Sequence, residues 1–186
     1  FTGNAFLSAR LADDDFIVTP TNFDPMDMNA ADMVRIVNGK REAGKIPSSG
    51  SAFCREIYRR CGWVNAIIMT RPPNAMAFAS TGTRMDSRTI PESYIQLRDI
   101  PLVSSAEYFN DPLKVIDRIT PATPVLMVEN CGVISCGKTL IEAFDRLEVS
   151  EFTAKCILLA GRIGTLKPIT QEQVDEIVEA FNLPKA

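Results

Sequence analysis

A chain of 186 residues, 46% hydrophobic with a mean hydropathy of +0.02, has the length of one medium domain and enough apolar side chains to bury a core. Twenty Lys and Arg against 23 Asp and Glu leave a formal net charge of -3 with no run of like charge, so the sequence advertises neither a nucleic-acid partner nor an anionic membrane. It contains no histidine, which removes the usual neutral-pH proton shuttle and the commonest metal ligand and excludes any chemistry that depends on either. Five cysteines, Cys54, Cys61, Cys131, Cys136 and Cys156, lack CxxC spacing and read as reduced, mostly buried thiols. The longest apolar runs, at 64–69 and 156–160, are too short for a bilayer, and the N-terminus has no signal pattern. A cytoplasmic location is the expectation.

In chain order, Asp13-Asp14-Asp15 reads as a hairpin turn, and Asp15 to Pro20 as a β-rich run ended by proline. Met33 to Val37, closed by Asn38-Gly39, is a second such run, and the two predict antiparallel strands separated by a helical turn capped at Asn29. The pairs Phe53/Ile57 and Cys54/Tyr58 predict an amphipathic helix over 49–61, stopped at Gly62. Val64 to Thr70 predicts a buried strand, and Pro72-Pro73 introduces a helix to Ala79. Two more strands are expected at 124–129 and 132–136, joined by Asn130-Cys131. The capping spacing Thr139 to Glu142 then opens a long helix to about Ala160, with Leu140, Phe144 and Leu147 on its inner stripe and Gly161 as its stop. Thr170 to Gln173 opens a last helix carrying Val174, Ile177, Val178 and Phe181. Without repeats, low-complexity tracts or a linker, residues 1–186 read as a single α/β layered domain, a mostly antiparallel sheet covered by helices.

Three short stretches carry anion-binding chemistry. Gly3-Asn4 pairs a backbone that a ligand can approach closely with a side-chain amide; Thr19-Pro20-Thr21-Asn22 adds hydroxyls and a second amide. Lys45-Ile46-Pro47-Ser48-Ser49 puts two serines at a helix start, where free N–H groups and the positive end of the dipole favour a phosphate.

The order and spacing of these stretches resemble the class II aldolase/adducin family, most closely its L-fuculose-1-phosphate aldolase branch. There, a GN turn, a TPxx turn and a GKxPSSE segment form the cradle for the substrate phosphate. The resemblance continues through Trp63 to Met69, similar to the strand leading into the family's HxH metal motif. It extends to Val128 to Ser135 and Gly137 to Phe144, similar to its HG turn and following helix. It implies a three-layer α/β fold and a phosphate site built from Gly3, Asn4, Thr19, Asn22, Ser48 and Ser49. It also implies a homo-oligomer, a tetramer by the family's habit, and a family helix preceding Phe1 that lies outside this sequence.

The departures fall on the chemistry. Where the family has its acid/base glutamate this sequence has Gly50, and its three metal-binding histidines correspond to Met69, Arg71 and Cys131. A thioether, a guanidinium and one thiol do not make a zinc site, so no cofactor is expected, and glycine has no proton to exchange. Arg71 either faces the pocket where the zinc would sit or is a solvated or carboxylate-paired arginine at a strand end. Cys131, with no histidine to activate it, reads as an inert thiol. The expected function is a metal-free domain, inactive or altered as an aldolase, that binds a phosphorylated sugar or other small anion. The alternatives are a lyase or isomerase using another apparatus, drawn from Tyr58, Glu129, Lys138 or residues of a preceding segment or another subunit, and an adducin-like interaction module.

Overall fold

The computed structural model describes residues 5–24 and 27–184. Eight strands, β1 (Phe6–Ala12), β2 (Asp15–Val18), β3 (Val34–Val37), β4 (Lys40–Arg41), β5 (Ala66–Thr70), β6 (Leu102–Val103), β7 (Val125–Val128) and β8 (Gly132–Gly137), form one sheet in the order β4-β3-β2-β1-β5-β8-β7-β6. Every neighbouring pair is antiparallel except β6 with β7. The turn after β3 uses Asn38 at φ 50° and Gly39 at φ 75°, two successive left-handed residues of the kind whose twist matches a two-residue hairpin.

Among the described residues seven α-helices, α1 (Ser51–Arg60), α2 (Pro73–Thr81), α3 (Pro91–Leu97), α4 (Ser105–Asn110), α5 (Pro112–Ile116), α6 (Leu140–Ile163) and α7 (Gln171–Ala180), are distributed on the two faces. Alternation along the central strands feeds both. Ile67, Met69, Ile134, Cys136, Leu126 and Val128 enter one core with Ile57 of α1 and Val115 of α5. Ala66, Ile68, Val133, Val125 and Met127 enter the other with Ala75 of α2, Leu97 of α3 and Leu147 of α6. Each fully buried aliphatic side chain contributes about 1.5–3 kcal/mol of transfer free energy, which is why strands with no polar face occupy the middle of the sheet. The architecture is the expected three-layer α/β one, with β1, β4, β6, α3, α4 and α5 added to the elements read from the sequence.

The long helix differs from expectation in length and in orientation. α6 runs through Gly161 to Ile163, because a glycine stops a helix only where it turns left-handed, and Gly161 does not. Its buried residues are Ala143, Leu147, Ser150, Thr153 and Ala154, whereas Leu140 is 41% and Phe144 52% exposed. The reason is distance. A Cβ added at Gly137 would lie 2.6 Å from the backbone nitrogen of Ala143 and 2.8 Å from the carbonyl of Thr139, so the helix meets β8 backbone to backbone and only small residues fit between. The Ser135 hydroxyl donates to the Ala143 carbonyl at 2.7 Å, and the hydroxyls of Ser93 and Thr153 meet at 2.7 Å.

α6 also holds α2. The Glu151 carboxylate accepts the Asn74 N–H at 3.0 and 3.1 Å and the Ala75 N–H at 3.0 Å, capping donors that the first turn of α2 leaves without intrahelical partners. At its own start, Thr139 Oγ1 accepts the Glu142 N–H at 3.1 Å, as the capping spacing predicts, while Glu142 reaches back to Lys138 N at 2.6 Å. In α7, Val174 is buried, Ile177 and Val178 are half-buried and Phe181, at its end, is exposed.

Replacing Gly137 with alanine forces β8 and α6 apart or strains both. An equilibrium urea titration is expected to show a loss of about 1–3 kcal/mol, the usual cost of overpacking a tight contact.

Candidate functional site

At the edge of the first core, a cavity of about 390 Å³ opens between the start of α1, the α4–α5 pair, the end of β5 and the turn before β8. Ser49, Gly50, Phe53 and Glu56 line one wall, Tyr108, Phe109, Leu113 and Ile116 face them, and Phe6, Met69 and Cys131 form the floor. Four positions singled out in the sequence therefore converge here: Ser49, Gly50, Met69 and Cys131. Arg71 is half-buried beside the cavity rather than among its lining residues, and its Nε donates to the Cys131 carbonyl at 2.8 Å.

The floor is apolar and closely fitted. A Cβ built on Gly50 would lie 2.3 and 2.4 Å from two carbons of the Phe6 ring, so a side chain at position 50 and the ring of Phe6 claim the same space. The Tyr108 hydroxyl points to the Met69 sulfur at 3.6 Å, and its ring packs edge-on against Phe53 and Phe109 with centroids 5.1 and 5.0 Å away. Burial pushes the Tyr108 hydroxyl up from the ordinary phenol range, which keeps it a neutral donor. Burial likewise pushes the Cys131 thiol up, and the nearby Arg71 guanidinium offsets only part of that shift, so the thiol form dominates at neutral pH.

The polar groups gather at the rim. Ser49 is exposed there, ahead of the first turn of α1. Ser48 is buried, its hydroxyl accepting the Gly50 N–H at 3.3 Å and its own N–H donating to the Thr19 carbonyl at 2.9 Å. Thr19 is also buried, and its hydroxyl accepts the Leu7 N–H at 3.3 Å. The Thr19 hydroxyl thus ties the 19–22 turn to β1, the Ser48 N–H ties the 45–50 segment to that turn, and the Ser48 hydroxyl braces its own segment. Asn22, left-handed at φ 55° and exposed, lines a neighbouring depression with Lys45 and Asp32 rather than the cavity. Gly3 and Asn4 lie outside the described residues. Glu56 brings a carboxylate to the rim, within 3.5 Å of Arg59 and 4.0 Å of Arg60.

The alternative catalytic set is scattered. Tyr58 is buried with its hydroxyl on Ser8 Oγ at 3.0 Å, and neither Glu129 nor Lys138 lines the cavity. Tyr108 and Phe109 escaped the sequence reading, although Ser104 and Glu107 carry the spacing that opens α4: the Ser104 hydroxyl accepts the Glu107 N–H at 3.1 Å. Among the described residues no group of three or more Cys, Asp or Glu side chains is placed to hold a metal ion. The sulfur of Met69, the thiol of Cys131 and the guanidinium of Arg71 do not fit zinc, which takes imidazole, thiolate or carboxylate ligands.

Residues 2–158 match the family described as the class II aldolase and adducin N-terminal domain, and the chain belongs to that family. It is 30% identical over 140 residues to the L-fuculose phosphate aldolase of Methanococcus vannielii, covering 74% of this chain and 75% of that one. In three dimensions it is similar to an L-fuculose 1-phosphate aldolase, with a TM-score of 0.83 at 21% identity over 98% of this chain and 87% of that one. It is also similar to YgbL of Escherichia coli, a putative aldolase/epimerase/decarboxylase, with a TM-score of 0.82 at 20% identity over 95% and 88% of the two chains. At those identities the structures show the shared fold.

The contest for space between residue 50 and Phe6 is measurable. Gly50→Ala is expected to cost about 1–3 kcal/mol by urea denaturation. Combined with Phe6→Ala, the loss should fall short of the sum of the two single changes by about 0.5–3 kcal/mol, the coupling of residues in contact.

Proposed function

We propose that this chain is a class II aldolase-like domain of the sugar-phosphate type that binds a phosphorylated sugar or other small anion without zinc-dependent aldol chemistry. The observation that carries this reading is the convergence of Gly50, Met69 and Cys131 on one cavity in a chain without histidine. Aldol cleavage needs a Lewis acid to stabilise the enediolate and a group to move the proton. Here the position matched to the proton carrier has no side chain, and the space one would take is filled by Phe6.

Binding does not share these requirements. Ser49 and the opening turn of α1 present a hydroxyl and backbone N–H groups at the rim, the arrangement that favours an anion. Phe53, Phe109 and Leu113 offer an apolar wall to the rest of a ligand. Thr19 and Ser48 serve this site by holding the turn in place, since their hydroxyls already accept backbone N–H groups.

A homo-oligomer is part of the same reading, and α6 supports it. Ile141, Phe152 and Ile163 recur every 11 residues along one line of the helix, on the side away from its buried face, with Phe144 and Leu159 beside them; Ile163 is 90% exposed. Glu148 and Lys155 lie in that line, four residues before and three after Phe152. A two-fold antiparallel pairing of two such helices would join the apolar line to its copy and bring Glu148 beside the partner's Lys155.

Elemental analysis of the purified protein is expected to find no stoichiometric zinc, and ketose-1-phosphate cleavage is expected to be absent, with Gly50→Glu alone restoring none. Titration calorimetry should detect binding of at least one sugar phosphate, weakened by about 1–3 kcal/mol in Ser49→Ala, the scale of a hydrogen bond to a charged group. Tightly held zinc with turnover would overturn the metal-free reading; no binding by any sugar phosphate would favour the interaction module. Light scattering should give a mass of at least twice 20.5 kDa, reduced to 20.5 kDa by Phe152→Glu, and a monomeric parent would remove the oligomer.

A further inference from the structure

The lining of the first cavity decides what the organic part of its ligand can be. Among the described residues that line it, Ser49, Glu56, Tyr108 and Cys131 are the ones whose side chains carry an N–H, O–H or S–H donor or an oxygen acceptor. Ser49 is exposed at the rim, and Glu56 stands there too, its carboxylate within 3.5 Å of Arg59 and 4.0 Å of Arg60. Deeper in, the Tyr108 hydroxyl gives its proton to the Met69 sulfur at 3.6 Å, and Cys131, 6% exposed, has only a thiol. The floor is left with one phenol oxygen as acceptor and one weak S–H donor.

The walls are hydrocarbon. Phe53, Tyr108 and Phe109 form a run of edge-on rings with centroids 5.1 and 5.0 Å apart, and Phe6 and Met69 are buried behind them. At the mouth, Phe109 is 65% and Leu113 40% exposed, so two large apolar side chains stand in water unless something covers them. The body of a sugar enters such a space at a loss, since each hydroxyl gives up water and finds almost no partner. A hydrocarbon body enters at a gain, removing its own surface and that of Phe109 and Leu113 from water. A volume of about 390 Å³ is within the size range of small-molecule sites.

We infer that the preferred ligand of this cavity is a phosphate monoester whose organic part is an aromatic hydrocarbon rather than a polyol. The inference rests on the anion-binding reading above and specifies the part of the ligand that lies away from the anion. The phosphate stays at the rim, where Ser49 and the first turn of α1, which has no side-chain cap, supply donors. The ring of the ligand lies against Phe53, Phe109 and Leu113 and extends the run of edge-on aromatic contacts. The ion pairs of Glu56 with Arg59 and Arg60 balance its charge, so the rim does not repel the phosphate.

Titration calorimetry of the intact chain with phenyl phosphate, glycerol 1-phosphate, a ketose 1-phosphate and inorganic phosphate keeps the anion constant and varies the rest. Phenyl phosphate is expected to bind about tenfold more tightly than any of the others, the gain from burying a ring against apolar walls. Phe109→Gln, at an exposed position whose replacement leaves both cores intact, should weaken phenyl phosphate by about fivefold and leave glycerol 1-phosphate within about twofold, because only the first has a ring to lose that contact. Ser49→Ala should weaken both esters by the same factor. A ketose 1-phosphate that binds as tightly as phenyl phosphate, or phenyl phosphate binding unchanged in Phe109→Gln, would overturn this inference and leave the anion-binding reading standing. No binding of any of these compounds would remove both.

Discussion

The pairing of β5 with β8 is the constraint on which the rest of the molecule depends. Ala66 lies opposite Gly137, Met69 opposite Ile134 and Thr70 opposite Val133, in two adjacent strands whose side chains are almost all buried. With a side-chain period of two, a slip of one residue would exchange the two cores, so the register is strongly specified. That register delivers Met69 and Cys131 to the face covered by α1 and α5, and it puts Gly137 where α6 can lie against the backbone. Site and long helix are consequences of one strand pair.

Around the first cavity, Phe6, Gly50, Met69, Tyr108 and Cys131 fit one another. Phe6 occupies what a side chain at position 50 would fill, and Tyr108 turns its hydroxyl to the Met69 sulfur. Cys131 is kept protonated by burial. Each is understandable by packing alone, and together they make a floor suited to apolar groups with polar chemistry confined to the rim. A carboxylate proton carrier or a dication would meet a low-dielectric wall there, where an unpaired charge is costly. Membership of the family carries the fold, while activity rests on the side chains that meet in the pocket.

The two helical layers use different packing. On the α1 side, large aromatic and aliphatic residues interdigitate. On the α6 side, the helix is so close that alanine, serine and threonine form much of its contact beside Leu147, while Leu140, Ile141, Phe144 and Phe152 stay exposed. The same closeness lets Glu151 reach the first turn of α2. An α-helix apolar on both sides is a poor candidate for permanent exposure to water, which links the packing of α6 to the proposed association of copies. Among the described residues no helix is long and apolar enough to cross a membrane.

Much was legible in the residue order because it depends on neighbours in the chain. The strands around 15–18, 34–37, 66–70, 125–128 and 132–137 declared themselves by unbroken β-favouring runs, and Asn38-Gly39, Thr139 and Thr170 marked their turn and caps by local hydrogen-bond chemistry. The absence of histidine and the motif order were equally one-dimensional. What the chain order did not disclose is which apolar side of a two-sided helix meets the sheet. Leu140 and Phe144 looked like core, and only the backbone contact at Gly137 turned them outward. Nor did it reveal that the hydroxyls of Thr19 and Ser48 are already engaged, that Asn22 faces another depression, or that Phe6 and Gly50 share one space, since these are distances between residues far apart in sequence.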